Sequence, residues 1–482
     1  MGARPHLPGG FQDFFAEDVL ARSEMIATIC RVYERFGFAP LETPAVEYLD
    51  VLGKYLPESD EAEGGVFAFK DDDRRWLALR YDLTAPLSRV VAQYGDGLPV
   101  PYRRYQVGPV WRREKPGPDR FRQFYQCDFD TVGSASPAAD AEVCAVVCAA
   151  LEELGIPSEQ FEVRVNNRKV LNGVLDQIHV PPDRHLAVLR AIDKLDRLGV
   201  EGVVDLLGKG RQDPSGDYAE GAGLTAAQSE AVRAFVSAGG DSRGSVIERL
   251  SRLVGDSAVG REGVNELSNI NRLLDAMGLP SRLVRFDPTV VRGLGYYTGA
   301  VFEATLTFEV TDQGGLSRSF GSIAGGGRYD DLVKRFTGAE VPATGLSIGV
   351  DRLLAALKAL GRTNKTRRTG PVVVTVMDSD RLAEYQNMVS ELRRSGIAAE
   401  IYLGDRGLRA QMKYADRRGA PVVIIAGTDE FQRGEVSIKD MRLGTDLSSD
   451  IADRDEWRNS QRVQRSIARA NLVAAVREIL TQ

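Results

Sequence analysis

At 482 residues the chain is too long for one hydrophobic core and predicts about three domains. A hydrophobic share of 43% beside 27% charged residues is ordinary for a soluble globular protein. A net charge of −6 gives no sign of bulk nucleic-acid affinity, although local basic patches on an acidic protein can still steer a polyanion. The longest apolar run, about Val143 to Leu151, is far too short to span a bilayer. The N-terminal residues carry no cationic, apolar, cleavable signal. Cys30, Cys127, Cys144 and Cys148 form no CxxC pair, and the histidines are His6, His179 and His185. A reducing cytoplasm and no structural zinc are expected, with Cys144 and Cys148, one helical turn apart, as a core-facing edge.

In chain order, Ala16 to Phe36 carries a helical period, and Gly37 ends it. Phe38 to Glu47 reads as an extended segment whose prolines, Pro40 and Pro44, confine it to an edge. This helix and edge strand suit a dimer seam or a plain packing unit equally. Phe67–Lys70 and Trp76–Tyr81 alternate like a hairpin closed by Asp71–Arg74, followed by Asp82-Leu83-Thr84 and a helix from about Ala85. Val107 to Glu114 reads as a strand, Lys115 to Asp119 as a loop and Arg120 to Asp130 as the returning strand. Side chains alternate between the faces of a strand. One return face therefore carries Phe121, Tyr125, Cys127 and Phe129, and the other Arg122, Gln126, Asp128 and Asp130. On the outgoing strand Gln106, Arg112 and Glu114 share a face, with Gly108 leaving space beside them. Cations, carboxylates and amides around a glycine gap favour a ligand-binding floor over an ordinary half-exposed hairpin.

Phe161 to Val165 is another short strand. From Leu171 to about Arg285 the chain changes to helices, around Arg184–Leu198, Thr225–Ala238 and Asn265–Met277, an insertion between two halves of a β-rich domain. Then comes Val291-Arg292-Gly293-Leu294-Gly295-Tyr296-Tyr297-Thr298-Gly299, in which glycines let the backbone turn tightly beside an arginine at a strand entrance. A planar donor fork placed there suits a phosphate or carboxylate, although a Gly-rich turn with a surface arginine reads as well on this stretch alone. Phe320–Asp330 and Gly345–Arg352 match neither the dinucleotide fingerprint nor the phosphate loop. The latter has glycines on alternate sides of a short strand, clearing room for a planar ligand such as a purine, with Arg352 in the first turn of the next helix. After a polar, basic stretch from Gly361 to Gly370, strands and helices alternate as an α/β domain. Its second helix, Leu408–Gly419, is surrounded by Arg406, Arg409, Lys413, Arg417 and Arg418. A solvated helix face would carry the same charges.

Trp111-Arg112-Arg113-Glu114 resembles the aromatic-Arg-x-Glu core of motif 2 of class II aminoacyl-tRNA synthetases. Gly345 to Arg352 resembles motif 3, and the helix-strand pair ending near Glu47 resembles motif 1. Arg80–Thr84, Gln126–Asp130, Arg292–Gly299 and Ala324–Asp330 together resemble the histidyl-tRNA synthetase family. The pair RGLxYYTG and AGGGRYD is specific to that family and one relative. The class I signatures HIGH and KMSKS are absent. The resemblance covers nearly the whole chain, weakest between about Gly208 and Gly263. Gly295 stands where the family usually has Asp, and Asp351 where motif 3 usually has Glu.

The resemblance implies an α+β fold: an antiparallel class II synthetase sheet flanked by helices, a helical insertion, and a C-terminal α/β anticodon-binding domain. It places a catalytic domain at 1–170 and 286–360, the insertion at 171–285, a linker at 361–370 and the anticodon-binding domain at 371–482. The implied activity is ATP-dependent ligation of L-histidine to tRNA(His) through a histidyl-adenylate. In that reading Arg112 and Arg292 grip the α-phosphate, Glu114 the adenine amino group and Arg352 the far side of ATP. Asp82, Leu83, Thr84 and Gln126 belong to the amino-acid site, where Asp82, Thr84 and Gln126 hold the α-ammonium, while Asp130 and Tyr297, with Tyr296 nearby, bracket the imidazole. Mg²⁺ rides with the phosphates and needs no protein cage. Arg406, Arg409, Lys413 and Arg417 contact the tRNA, and a homodimer is expected. The rival is a binding module, a synthetase-like regulatory subunit of ATP phosphoribosyltransferase. Such a relative need not keep the Arg112 and Arg292 set or an anticodon-type tail; a general ligase of another acid would lack that tail.

Overall fold

The computed structural model describes residues 5–52, 65–115, 121–212, 218–293, 296–311, 317–362, 370–442 and 464–481. The chain divides into two compact units, Met1–Thr363 and Asn364–Gln482. No helix among the described residues is long and apolar enough to cross a membrane.

The first unit opens with helix α1 (Ala16–Arg35), whose Met25, Ile29, Val32 and Tyr33 form the buried stripe. Acidic residues in its first turn and Arg35 in its last complement the helix dipole. Gly37, at φ 81°, turns the chain out of the helix. The expected single extended segment is split. Strand β1 (Ala39–Pro40) pairs in parallel at a sheet edge, whereas β2 (Val46–Tyr48) joins a separate three-stranded sheet. Prolines that cannot donate to a ladder account for the break. After α2 (Leu49–Leu52) come the expected hairpin, β3 (Ala68–Lys70) and β4 (Trp76–Leu79), and then α3 (Thr84–Tyr94). Asp71 Oδ1 closes the turn by accepting from the Arg75 amide at 2.7 Å.

The expected floor is β5 (Tyr102–Trp111) against β6 (Gln123–Val132), in antiparallel register with Gln106 opposite Asp128 and Arg104 opposite Asp130. Strand β5 stops at Trp111, short of Glu114, because the Arg113 amide leaves the ladder and donates to Gly65 O at 2.7 Å. Helix α4 (Pro137–Glu153), capped by Ser136, buries Cys144 and Cys148 as expected. Strand β7 (Phe161–Asn167) then leads into the helices α5 (Arg168–Gln177), α6 (Pro182–Ile192) and α7 (Leu195–Leu207). A hairpin follows, β8 (Gly210–Gln212) and β9 (Tyr218–Glu220), then α8 (Ala226–Val236), α9 (Arg243–Val254) and α10 (Ala258–Ala276). The helix expected over Arg184–Leu198 is thus two helices. Helix α10 starts seven residues before Asn265, since Ser257 caps it and Gly260 and Gly263 are accommodated inside.

The sheet is completed by β10 (Val284–Phe286), β11 (Ala300–Leu306), β14 (Ser322–Arg328) and β15 (Ala343–Gly349), with a small hairpin β12 (Glu309–Thr311) and β13 (Ser317–Ser319) set between. The short helix α11 (Lys334–Thr337) precedes β15, and α12 (Val350–Ala359) follows it. Strand order is β1-β5-β6-β15-β14-β11-β7-β10. The six inner strands are antiparallel, and the edge strands β1 and β10 pair in parallel. Cys127 and Phe129 of β6 face the helices, where the Phe129 ring lies 4.9 Å from Tyr33 and 5.3 Å from Phe38. One apolar core runs through these residues and the insertion helices, taking in Val170, Val203 and Val232. Gly345 and Gly349 are four residues apart on β15 and therefore share a face, which corrects the expected alternation.

The second unit has strands β16 (Val372–Val374), β17 (Ala399–Ile401), β18 (Val422–Ile425), β19 (Glu435–Asp440) and β20 (Gln464–Ala468), in the order β17-β16-β18-β19-β20. The first three are parallel, as strands joined by crossover helices must be. Helices α13 (Leu382–Arg394), α14 (Leu408–Arg417), α15 (Thr428–Arg433) and α16 (Leu472–Thr481) accompany them, around a core of its own.

Candidate active site

The polar face of β6 carries Gln126, Asp128 and Asp130, all buried. Arg104 on β5 is fully buried, with a guanidinium nitrogen 2.7 Å from Asp130 Oδ2. That contact is an ion pair by distance and not an aligned hydrogen bond. The same guanidinium donates to Leu83 O at 3.0 Å, so Leu83 enters the site through its backbone while its side chain is buried. The Tyr329 hydroxyl donates to Asp130 Oδ1. Across the ladder Gly345 faces Asp130, and a Cβ there would stand 2.1 Å from Oδ1. The carboxylate therefore occupies the volume a side chain would need. Thr84, Asp128, Asp130, Tyr296, Tyr297 and Ser347 border one small cavity.

The Tyr297 ring is held between backbones: Cβ atoms on Gly293 and Gly327 would come within 2.2 and 2.7 Å of it. Tyr296 stacks on Tyr329 with ring centres 5.4 Å apart and lies 4.9 Å from Tyr297. Asp82 Oδ1 accepts from the amides of Thr84 (3.1 Å) and Ala85 (2.9 Å), so it caps α3 at the edge of the cavity. Gln126 Nε2 donates to Ser347 Oγ at 2.6 Å.

Burial dominates the electrostatics of the floor. It pushes Asp128 up to about 7, with Arg104 opposing and Asp130 adding to the rise. It also raises Asp130, against Arg104 and the Tyr329 hydrogen bond. The Tyr297 phenol is raised by burial first and by Asp130 next.

Arg292 precedes β11, with Nε on Glu303 and its side chain about half exposed. Glu303 is buried and also holds Arg164. The turn itself is fixed from β7 and α5. Asn166 Nδ2 donates to Pro288 O (3.0 Å) and Val290 O (2.9 Å), and the Arg168 guanidinium donates to the carbonyls of Val291 (3.3 Å), Arg292 (2.8 Å) and Gly293 (3.3 Å). Burial lowers Arg168 to about 10. Leu294 and Gly295 lie outside the described residues, and so does most of the loop at 115–119.

Arg112 packs between the rings of Tyr81 (4.4 Å) and Phe124 (5.0 Å). The Tyr81 phenol is raised by burial, which Arg112 opposes, while Glu114 adds to it partly through a hydrogen bond. The space expected beside Gly108 belongs to the protein: a Cβ there would lie 2.4 Å from the Arg80 guanidinium. Arg80 donates to Pro109 O and Thr43 O, both at 2.9 Å, and so braces β5. Arg352 is exposed and donates to Ser322 O at the start of β14. Beside it, Asp351 Oδ2 accepts from the Tyr125 amide at 2.7 Å and ties α12 to β6.

Of the residues expected from the sequence, Thr84, Asp130, Tyr296 and Tyr297 border this cavity, while Asp82, Leu83 and Gln126 are not in its lining and connect to it through Thr84, Arg104 and Ser347; Gly325 of β14 approaches Arg292. Arg104, Arg168, Glu303, Ser347 and Tyr329 complete the setting and were absent from the sequence-derived set. Tyr329 and Ser347 had a signal, their places in the AGGGRYD stretch and in the Gly345–Arg352 stretch. In the second unit Arg406, Arg409, Lys413 and Arg417 are exposed, whereas Arg418 is paired with Glu400 at 2.9 Å.

Six antiparallel strands closed by parallel edges, backed by helices, with arginines and glycines aimed at one face, define a class II aminoacyl-tRNA synthetase fold. Residues 10–353 match the family model described as histidyl-tRNA synthetase, and residues 371–479 match an anticodon binding domain. The histidine--tRNA ligase of Cereibacter sphaeroides is 57% identical over 99% of this chain and 98% of its own length. That of Brucella ovis is 54% identical over 99% and 96%. The crystal structure of histidyl-tRNA synthetase from Nostoc sp. PCC 7120 is 30% identical and superposes with a TM-score of 0.72, covering 99% of this chain and 100% of that one. A Bacillus halodurans ATP phosphoribosyltransferase regulatory subunit/histidyl-tRNA synthetase, at 22% identity and TM-score 0.67, shares the fold. The chain belongs to the histidyl-tRNA synthetase family.

Proposed function

We propose that this protein ligates L-histidine to tRNA(His) at the expense of ATP, through a histidyl-adenylate. The observation that carries the reading is a cavity floored by buried carboxylates and walled by Tyr296, Tyr297 and Tyr329, on a chain that matches a histidine--tRNA ligase over nearly all of that relative's length. Histidine's carboxylate attacks the α-phosphate of ATP and releases diphosphate. The terminal ribose hydroxyl of the tRNA then attacks the adenylate carbonyl and releases AMP.

Phosphoryl transfer depends on positioning and charge neutralisation. Arg112 and Arg292 bind the α-phosphate, Glu114 the adenine amino group, and Arg352 the outer side of the nucleotide. Asp82, Thr84 and Gln126 hold the α-ammonium, while Asp130 and Tyr297 orient the imidazole. Mg²⁺ bound with the phosphates supplies further neutralisation. Among the described residues no group of three or more His, Cys, Asp or Glu side chains is placed to hold a metal. Retention of Arg112, Arg292 and an anticodon-type unit favours this reading over a regulatory subunit without ligase activity. Diphosphate exchange into ATP, tried with each of the twenty amino acids, tests it: exchange with histidine alone is expected, and exchange with none would favour the regulatory subunit.

We further infer a homodimer, supported by the motif 1-like helix α1 and its edge strand, and a cytoplasmic setting. Sedimentation at micromolar concentration is expected to give a dimer; a fully active monomer would overturn this. The exposed cations of α14, with Arg406 before it, are assigned to the anticodon, whose splayed bases offer edges and stacking faces. Removing residues 371–482 is then expected to spare adenylate formation and to weaken tRNA charging. Base stacking is worth about 1–3 kcal/mol per base, so the loss in kcat/KM for tRNA should reach roughly ten- to a hundred-fold. Unchanged charging by the folded truncated protein would refute the assignment.

A further inference from the structure

The polar face of β6 holds three buried acceptor atoms with no hydrogen-bond partner among the described residues: Gln126 Oε1, Asp128 Oδ1 and Asp130 Oδ2, the last of them ion-paired with Arg104. Gln126 and Asp128 project from the same face of β6, two positions apart. Ser347 joins them, since its hydroxyl accepts from Gln126 Nε2 at 2.6 Å and is hydrogen-bonded to Asp128. Asp128 is 2% exposed, and it borders the cavity together with Thr84. Asp130 is engaged differently: one oxygen accepts from Tyr329, and the other faces Arg104. The aromatic side chains gather at Asp130, and Tyr296 stacks on the same Tyr329. The cavity is therefore aromatic at the Asp130 end, while at Asp128, two positions along β6, it meets a carboxylate oxygen without a hydrogen-bond partner, with Gln126 Oε1 equally unpartnered on the same strand face.

An α-ammonium group carries three donors and no acceptor, and its charge suits a buried carboxylate better than a neutral amide does. We propose that Asp128 is an unassigned substrate-binding residue, whose Oδ1 receives the α-ammonium of histidine beside Gln126 Oε1. This rests on the ligase reading and extends its amino-acid site. Gln126, Thr84 and Asp82 alone would leave the buried Asp128 Oδ1 unused. Arg104 and Arg80, the cations that act on Asp128, are already engaged, Arg104 with Asp130 and Leu83 O and Arg80 with backbone carbonyls.

The test compares wild type with Asp128→Asn, which keeps the shape and removes the charge, using diphosphate exchange and calorimetric binding. KM for histidine should rise at least tenfold, with KM for ATP within twofold of wild type. L-Histidinol, which keeps the amine, should lose the same factor. 3-(Imidazol-4-yl)propanoate, which lacks the amine, should bind the variant and wild type equally. Histidine affinity within twofold of wild type would overturn the proposal, and so would an equal loss for the amine-free analogue, the mark of a brace for Ser347. Asp128→Ser, read the same way, serves if the Asn variant does not fold. A wild type that shows no histidine-dependent exchange would instead overturn the ligase reading. An active wild type with an unaffected variant would overturn only the role of Asp128.

Discussion

Arg292→Ala is expected to lower the rate of histidine-dependent diphosphate exchange by about 10²- to 10³-fold, roughly 3–4 kcal/mol, with the melting temperature nearly unchanged. The two halves of that expectation have separate structural grounds. The turn around Arg292 is clasped by Arg168 and Asn166 through backbone carbonyls, so its shape does not depend on the Arg292 side chain. Glu303, its buried carboxylate partner, stays paired with Arg164 when Arg292 is gone. A residue that stabilises charge developing on the α-phosphate acts mainly in the transition state, so kcat should fall more than KM rises. Arg292→Lys keeps the charge and loses the planar fork, and should remain impaired. Normal exchange at saturating ATP and histidine in the alanine variant would make Arg292 a scaffold residue.

Arg104→Met should act in the opposite manner, on stability first. Arg104 has no exposed surface, and it serves Asp130 and the Leu83 carbonyl. Removing one partner of a buried pair leaves the other charge uncompensated, which typically costs about 3–5 kcal/mol. The pH dependence has a definite sign. Asp130 and Asp128 already have raised pKa values in the fold, so they are least costly when protonated, and without Arg104 both rise further. The variant should therefore regain part of its deficit as pH falls through the range where these carboxyls take up protons, and show its full deficit above it. Thermal melts of both proteins across that range measure this. A variant that melts like wild type at neutral pH would show that the pair contributes nothing.

Much of this architecture is legible in the chain because periodicity reports it directly. The helix α1, the β3–β4 hairpin, the β5–β6 floor and the alternating α/β tail follow from apolar spacing and from Gly, Pro and Asp punctuation. The failures have identifiable causes. Gly260 and Gly263 lower helix propensity, so the first turns of α10 read as loop, although tertiary packing makes them helical. Gly108 looks like room for a ligand because the sequence does not show that Arg80, 28 positions earlier, folds into that space. Arg104, Arg168 and Glu303 stand within strands or at their ends, where a charge in the sequence gives no hint of its partner. Only the strand register reveals that Arg104 lies opposite Asp130. The candidate residues most readily proposed were those in short motifs, while the residues holding them in place became visible only through pairing.

The clasp of Arg168 on residues 291–293 bears on where this chain can be cut and rejoined. Arg168 is the first residue of α5, so the clasp spans the whole helical insertion in sequence while closing a contact of one side chain in space. A chimaera that takes its insertion from a relative should be joined after Arg168, within α5, and again before Val291. The recipient then keeps both halves of the clasp and exchanges only the helices between them. A junction placed before Asn166 would import a foreign arginine to hold a native turn, and the Arg292 turn would inherit any mismatch in the donor helix's approach.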